Sequence, residues 1–283
     1  AEHPDDPRAV DARIRLASLD AAAGAIENRQ SLVDGAIRSL AAIEGDRAAS
    51  RDQRAEAGFR RVCLVMRSLR TQTARRRADI VAAARNFQSR HPGDKRIPAL
   101  LAEVATICDG DPALKRRLLE EAAKSSPAPP LARRIADDLR RLDLLGKPLD
   151  LEFTTLDGTP WSTTSMRGRV GILVFWSADS APCLLWLDEF RRGLGAGGSG
   201  DLAIATYALD PEPDPVRAAL ADLSMSRWPT GWNDKGWEGR IPRACGINAL
   251  PTVFVLDRKG NLRSINARHS LDSWVRQLVV ERP

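Results

Sequence analysis

The sequence has few cysteines, few histidines and no long apolar run. Its 283 residues include four cysteines and three histidines. The cysteines form no C-x-x-C pair and no zinc-ligand spacing, and four are too few for a disulfide scaffold in a chain of this length. The histidines His3, His91 and His269 are scattered, so we expect neither a metal site nor another cofactor. No apolar stretch approaches the ~18 residues of a membrane span.

Charge and tryptophan are distributed unevenly along the chain. Residues 1–148 hold 28 Lys and Arg against 21 Asp and Glu, whereas residues 149–283 hold 15 against 16. All seven tryptophans lie in the second part. This break predicts two domains, 1–145 and 146–283, each long enough to bury its own core. Residues 75–77 are all arginine, but acidic residues lie throughout the first part. That mixture is typical of a solvated helix face, so we expect no nucleic-acid partner.

The first part predicts an all-α domain. Apolar residues recur at helical spacing in five segments: 7–43, 52–90, 97–108, 112–125 and 129–143. Asp111 followed by Pro112 is typical of a helix start, because Asp can cap free N–H groups and Pro fits the first turn. The tight connections predict helical hairpins that resemble a tetratricopeptide-like scaffold, although no 34-residue repeat is present. Such a domain would offer a second protein-binding surface.

The second part predicts an α/β domain. Strand patterns occur at 149–153, 170–176, 202–209 and 251–257, and helical patterns at 182–194, 215–223 and 270–280. The run Val-Gly-Ile-Leu-Val-Phe-Trp at 170–176 is apolar throughout, as expected for a central strand that is buried on both faces.

Three segments of the second part resemble a known family. GKPLDLEFTTLDG, MRGRVGILVFWSADSAPC and ALPTVFVLDRKGNL occur in the order found in the thioredoxin-like domain of bacterial TlpA/ResA-type proteins, whose superfamily includes the peroxiredoxins. The resemblance covers residues 146–283. It implies a thioredoxin-like fold, kinship with thiol-disulfide oxidoreductases, and a periplasmic or other extracytoplasmic location after removal of a signal peptide.

The resemblance also assigns positions to a redox turn. Trp176 matches the aromatic residue that closes the central strand, and Pro182 and Cys183 match the end of the family's W-C-x-P-C motif. Pro251, between Leu250 and Thr252, matches the cis-proline that faces this turn. In the family, that proline helps to hold an extended substrate segment.

The turn differs from the family at the position of the attacking cysteine and at two positions near it. Ser180 occupies the place of the attacking cysteine, and a serine hydroxyl is too weakly acidic to attack a disulfide at neutral pH. We interpret Ser180 as a helix N-cap. Asp179 stands where the family has an aromatic residue, and Val174 stands where thioredoxin has a buried carboxylate.

The two cysteines of this domain leave alternatives open. Cys183 is either an inert remnant or, since S-x-x-C resembles the peroxiredoxin T-x-x-C, a peroxidatic nucleophile. The peroxiredoxin motif also has a proline seven residues earlier, where this chain has Trp176. Cys245 is either a small buried residue or a resolving thiol for Cys183, which would require Cα atoms within ~7 Å.

We therefore predict a thioredoxin-fold protein whose dithiol motif has degenerated to Ser-Ala-Pro-Cys. It would bind a protein or peptide beside Pro251, using Leu184, Trp186 and Leu250. The alternatives are a single-cysteine thiol enzyme, working as a peroxidase or with Cys245, and a structural scaffold whose helical domain recruits partners.

Overall fold

The first part of the computed structural model consists of helices and the second of a mixed sheet with helices, which confirms the predicted fold class. The structure describes residues 7–68, 74–193 and 200–281. His3 lies outside these residues, and so do the side chains of Arg75 and Arg76. Among the described residues, none of the helices combines the length and the hydropathy that a bilayer crossing requires.

Helices of the first unit pack in succession, α1 on α2, α2 on α3, and α5 on α6. Their bounds are α1 (Pro7–Ile26), α2 (Gln30–Gly45), α3 (Arg51–Ser68), α4 (Ala74–Arg90), α5 (Ile97–Thr106) and α6 (Pro112–Lys124). The helical segment predicted over 7–43 is two helices, because Asn28 turns the chain with a φ of +55°. Asparagine tolerates this left-handed conformation better than most residues. Asp111 caps α6 by accepting a hydrogen bond from the Leu114 N–H at 2.9 Å.

The second unit contains the remaining elements. Their bounds are α7 (Pro129–Asp143), β1 (Glu152–Thr154), β2 (Pro160–Ser162), β3 (Val170–Trp176), α8 (Ala181–Gly193), β4 (Leu202–Ala208), α9 (Pro213–Asp222), β5 (Thr230–Gly231), α10 (Arg240–Ala244), β6 (Thr252–Leu256), β7 (Leu262–Ser264) and α11 (Leu271–Val280). Strands β1 and β2 form a hairpin around the predicted turn, with Phe153 opposite Trp161.

Strand β3 is the centre of a five-stranded sheet with the order β5-β4-β3-β6-β7. All seven of its residues are buried, as their apolar character predicts. It runs parallel to β4, with Trp176 opposite Ala208, and antiparallel to β6, with Phe175 opposite Thr252. The carboxyl ends of β3 and β4 and the start of β6 therefore meet at one edge of the sheet.

Side chains of β3 alternate between two cores, as strand geometry requires. Val174 and Trp176 face a cluster that includes Leu187 of α8 and Leu278 of α11. Phe175 faces the other way, where its ring contacts those of Tyr207 and Phe254 at centroid distances of 6.0 and 5.3 Å.

Helix α7 belongs to the second unit. The chain divides into the compact units Ala1–Pro127 and Ala128–Pro283, whereas the sequence places a domain boundary after residue 145. Arg141 on α7 is buried and donates to Asp138 and, at 2.7 Å, to Asn248 Oδ1. Gly246 lies so close to this helix that a Cβ there would sit 2.2 Å from the carbonyl oxygen of Asp137. The change in composition near residue 146 therefore marks the start of the sheet, while α7 packs with the sheet domain.

Candidate functional site

The turn between β3 and α8 ends in a helix start at Ser180. The Ser180 carbonyl accepts hydrogen bonds from the N–H groups of Cys183, at 2.8 Å, and Leu184, at 3.1 Å. These bonds place Ser180 at the N-cap position of α8, directly before Ala181. Among the described residues, the Ser180 hydroxyl has no hydrogen-bond partner. Main-chain bonds therefore hold the end of the turn at Ser180, and the positive end of the helix dipole points toward it.

A buried carboxyl group also holds this turn, through hydrogen bonds that the turn donates to it. Asp210, which is 2% exposed, follows the carboxyl end of β4. Its Oδ1 accepts from the Ser177 hydroxyl at 2.8 Å, the Ala178 N–H at 2.9 Å and the Asp179 N–H at 3.3 Å. Its Oδ2 is buried and has no hydrogen-bond partner among the described residues. The same is true of the indole N–H of Trp176. Asp210 therefore supplies the turn with a fixed hydrogen-bond acceptor.

Cys183 is completely buried on the inner side of α8. Its exposed fraction is 0%, and it packs in the cluster with Val174 and Trp176. Val174, at the place of thioredoxin's buried carboxylate, supplies only apolar surface to this cluster. The thiol is therefore not accessible to a peroxide or a disulfide in this conformation.

Cys245 is equally inaccessible. It is 1% exposed, and burial raises the pKa of its thiol to about 12, an effect that the nearby Arg141 guanidinium only partly offsets. Since nucleophilic attack requires the thiolate, a thiol that stays protonated at neutral pH is inert.

The structure does not bring the two cysteines together. All the cysteines are free thiols. Cys245 is close enough to Tyr207 to contribute to the raised pKa of that phenol, and the Tyr207 ring contacts Phe175. Because Phe175 alternates with Val174 and Trp176 on β3, Cys183 and Cys245 lie against opposite faces of the sheet.

The segment before β6 lies beside the turn. The Leu250–Pro251 peptide bond is cis. Pro251 and Thr252 are buried, and the Thr252 hydroxyl donates to the carbonyl of Ala249 at 2.7 Å. Leu250 is half-buried and packs against the cluster that contains Cys183. Among the described residues, neither the N–H nor the C=O of Leu250 has a hydrogen-bond partner, so the main chain has one unpaired donor and one unpaired acceptor beside the turn.

Trp186 is half-buried and points toward the start of α11. Its indole N–H donates to the Arg268 carbonyl at 3.1 Å, and its ring stacks on Phe190 at 5.1 Å. Both rings line a cleft of about 630 Å³ whose lining also includes His269 and Arg276. Leu250 and Pro251 do not line this cleft. The large apolar residue of α8 that is exposed is instead Leu185, at 68%.

Sequence reasoning missed Asp210. Asp210 follows an apolar strand parallel to β3, and the carboxyl ends of neighbouring parallel strands meet at one edge of the sheet. That signal was available in the run Thr-Tyr-Ala-Leu-Asp at 206–210. In the described part of the chain, no group of three or more His, Cys, Asp or Glu side chains could hold a metal ion.

Comparison with known proteins supplies matches for about half of the chain. No protein-family model matches it, and no curated protein matches its sequence. The thioredoxin domain of a thiol-disulfide oxidoreductase from Bacteroides vulgatus is 14% identical, with 46% of this chain and 97% of that chain covered and a TM-score of 0.41. A thiol:disulfide interchange protein of the thioredoxin family from Chlorobium tepidum is 21% identical, with 48% and 96% covered and a TM-score of 0.39. A thiol-disulfide oxidoreductase from Bacteroides fragilis is 17% identical, with 45% and 96% covered and a TM-score of 0.40.

The strand order, the parallel β3–β4 pair, the antiparallel β6 and the helix that follows the turn confirm that the second part has a thioredoxin-like fold. The predicted peptide-binding residues Leu184, Trp186 and Leu250 all pack against the cluster around Cys183.

Proposed function

We propose that the second unit binds an extended peptide or protein segment beside Leu250 and does not catalyse dithiol exchange. The turn surface, defined as residues 177–182 together with Leu250, would be the binding site. The observation that carries this proposal is the unpaired N–H and C=O of Leu250, which lie next to a turn that has Ser180 where the family has its attacking cysteine.

The loss of exchange chemistry is supported by the positions of the sulfur atoms. Dithiol exchange needs an accessible attacking thiolate and a second thiol that resolves the mixed disulfide. Ser180 cannot attack, Cys183 is 0% exposed, and the pKa of Cys245 is raised to about 12. A single-cysteine enzyme that uses Cys183 would require the first turn of α8 to open, so that alternative stays a prediction.

Binding is supported by the unpaired main chain and the apolar side chains around it. An extended peptide that pairs with a free N–H and C=O gains main-chain hydrogen bonds, and pockets for alternate side chains give selectivity. Beside Leu250, the half-buried Leu184 offers apolar contact. The exposed Asp179 adds a negative charge, which favours a peptide with a basic side chain at that point. We place this activity outside the cytoplasm, on the strength of the family resemblance.

Replacing Leu250 with Asp is expected to weaken peptide binding at least tenfold, since it puts a charge into the apolar part of the turn surface. The probe is a displayed library of random 12-residue peptides without cysteine, selected on the wild-type chain and then titrated against both forms. Without cysteine, no capture can depend on a mixed disulfide.

Val280→Asp serves as the control, because Val280 is 78% exposed on α11 and lies outside the turn surface. It should bind the selected peptides as the wild type does. The proposal fails if no peptide is enriched, or if the enriched peptides bind Leu250→Asp and wild type equally.

A further inference from the structure

Helix α1 has two apolar faces, and the described residues cover only one of them. Val10, Ile14 and Ala17 are buried in the core that α1 shares with α2 and α3. Leu16, Leu19 and Ile26 are instead 58%, 66% and 86% exposed. Single exposed apolar residues are ordinary, but three large ones on a single helix call for a physical reason.

The exposed residues belong to a regular stripe. The residues on this outer face are spaced alternately by three and four positions: Ala9, Ala12, Leu16, Leu19, Ala23 and Ile26. This is the spacing of a coiled-coil seam, in which apolar residues recur every 3.5 residues and meet the same positions on a partner helix. We call these six residues the outer stripe.

Charges beside the outer stripe change sign along the helix. Arg13 and Arg15 flank its first half, and Asp20 and Glu27 flank its second half. The ion pairs of Arg13 with Asp46, at 3.5 Å, and of Glu27 with Arg29, at 3.0 Å, are both solvent-exposed surface pairs. Such pairs are weak and exchange readily for other partners.

We propose that the outer stripe binds the outer stripe of a second copy of this chain, with the two α1 helices antiparallel. In that orientation the basic half of each helix lies beside the acidic half of the other. A parallel arrangement would set Arg13 and Arg15 beside their own copies, which is repulsive. Charges that flank an apolar seam select partner and orientation in this way, and an antiparallel pair closes as a symmetric dimer.

The same charges argue against a membrane as the occupant. Helices that lie in a membrane interface carry mainly Lys and Arg on their polar face. Here Asp20 and Glu27 would face the lipid headgroups beside the more exposed half of the stripe. A second copy provides complementary charges for both the basic and the acidic half of the helix, whereas an anionic lipid surface attracts only the basic half.

The predicted dimer is weak and reversible. With 20 residues, α1 is about 30 Å long. A helix pair of that length buries roughly 500–600 Å² on each partner, less than the ~800 Å² of a standard interface. An interface this small is typical of weak, transient pairs, so we expect dimers only at high protein concentration.

Sedimentation equilibrium of the full chain between ~5 and ~500 µM tests this proposal. We expect a reversible monomer–dimer equilibrium, weakened at least tenfold by Leu19→Glu. Leu185→Glu is the matched control, since Leu185 is an exposed leucine of similar exposure in the other unit, and it should leave the dimer unchanged. Circular dichroism shows whether each variant keeps its helices.

A charge exchange gives a second, independent test. The acidic variant Arg13→Glu, Arg15→Glu and the basic variant Asp20→Arg, Glu27→Arg should each be monomeric alone and should form a heterodimer when mixed. A wild-type chain that stays monomeric at ~500 µM overturns the proposal. So does a dimer that is insensitive to Leu19→Glu, or a mixture of the charge variants that does not associate.

Discussion

Replacing Ser180 with cysteine is expected to give this protein the thiol-disulfide exchange activity that, on our proposal, the wild type lacks. Residue 180 lies at the N-cap of α8 and Cys183 lies in the first turn of that helix, as the resemblance to the W-C-x-P-C motif predicts. A thiol at position 180 would lie at the positive end of the helix dipole, which stabilises a thiolate. We expect Ser180→Cys to form an internal disulfide with Cys183 and to accelerate insulin reduction by dithiothreitol at least tenfold over wild type.

The double variant Ser180→Cys, Cys183→Ser separates attack from resolution. It should form mixed disulfides with substrate but should not turn over, because no second thiol resolves them. Equal activity of wild type and Ser180→Cys would contradict the proposed loss of chemistry. Failure of Ser180→Cys to form the internal disulfide would show that the turn no longer has redox geometry.

Removing α7 is expected to unfold the sheet domain. A fragment of residues 128–283 should unfold cooperatively, whereas a fragment of 146–283 should not fold stably. Ile135 and Leu142 of α7 are 1% and 4% exposed, and burying such side chains contributes roughly 1.5–3 kcal/mol each. Gly246 packs directly against the backbone of α7, so loss of α7 would also expose Gly246 and the backbone next to it to solvent. Urea unfolding of the two fragments, followed by circular dichroism, measures the difference.

Two substitutions in the full chain test the same contact without truncation. Arg141→Ala leaves Asp138 buried without its cation and should cost about 3 kcal/mol of unfolding free energy. Arg140→Ala, on the same helix but exposed, should cost less than ~1 kcal/mol. Equal stability of the two fragments, or of the two variants, would mean that α7 is not part of the sheet domain.

Local patterns allowed the fold class of each part to be predicted, and the family resemblance predicted the thioredoxin-like fold of the second part. The apolar run at 170–176 identified the central strand, because a short run rich in Val, Ile and aromatic residues is typical of a strand that is covered on both faces. Helical spacing identified the helices of the first part. It did not separate α1 from α2, because the apolar periodicity continues across the turn at Asn28.

Contacts between distant residues could not be predicted in the same way. The packing of α7 on the sheet domain depends on Arg141 meeting Asn248, more than 100 positions away, and composition carries no signal of that pairing. Asp210 supports the turn from a neighbouring strand, and its role depends on strand order. The separation of Cys183 from Cys245 likewise follows from the alternation of side chains once β4 and α10 are placed.

The most direct test of the central claim is the rate of alkylation at Cys183 in the folded protein, measured peptide by peptide as a function of pH, with Cys245 as the internal comparison. We predict that both thiols stay unreactive until the protein unfolds, because Cys183 is 0% and Cys245 1% exposed. Rapid alkylation of Cys183 alone, with an apparent pKa well below the ~8.5 of a free thiol, would reveal an accessible thiolate and contradict the account.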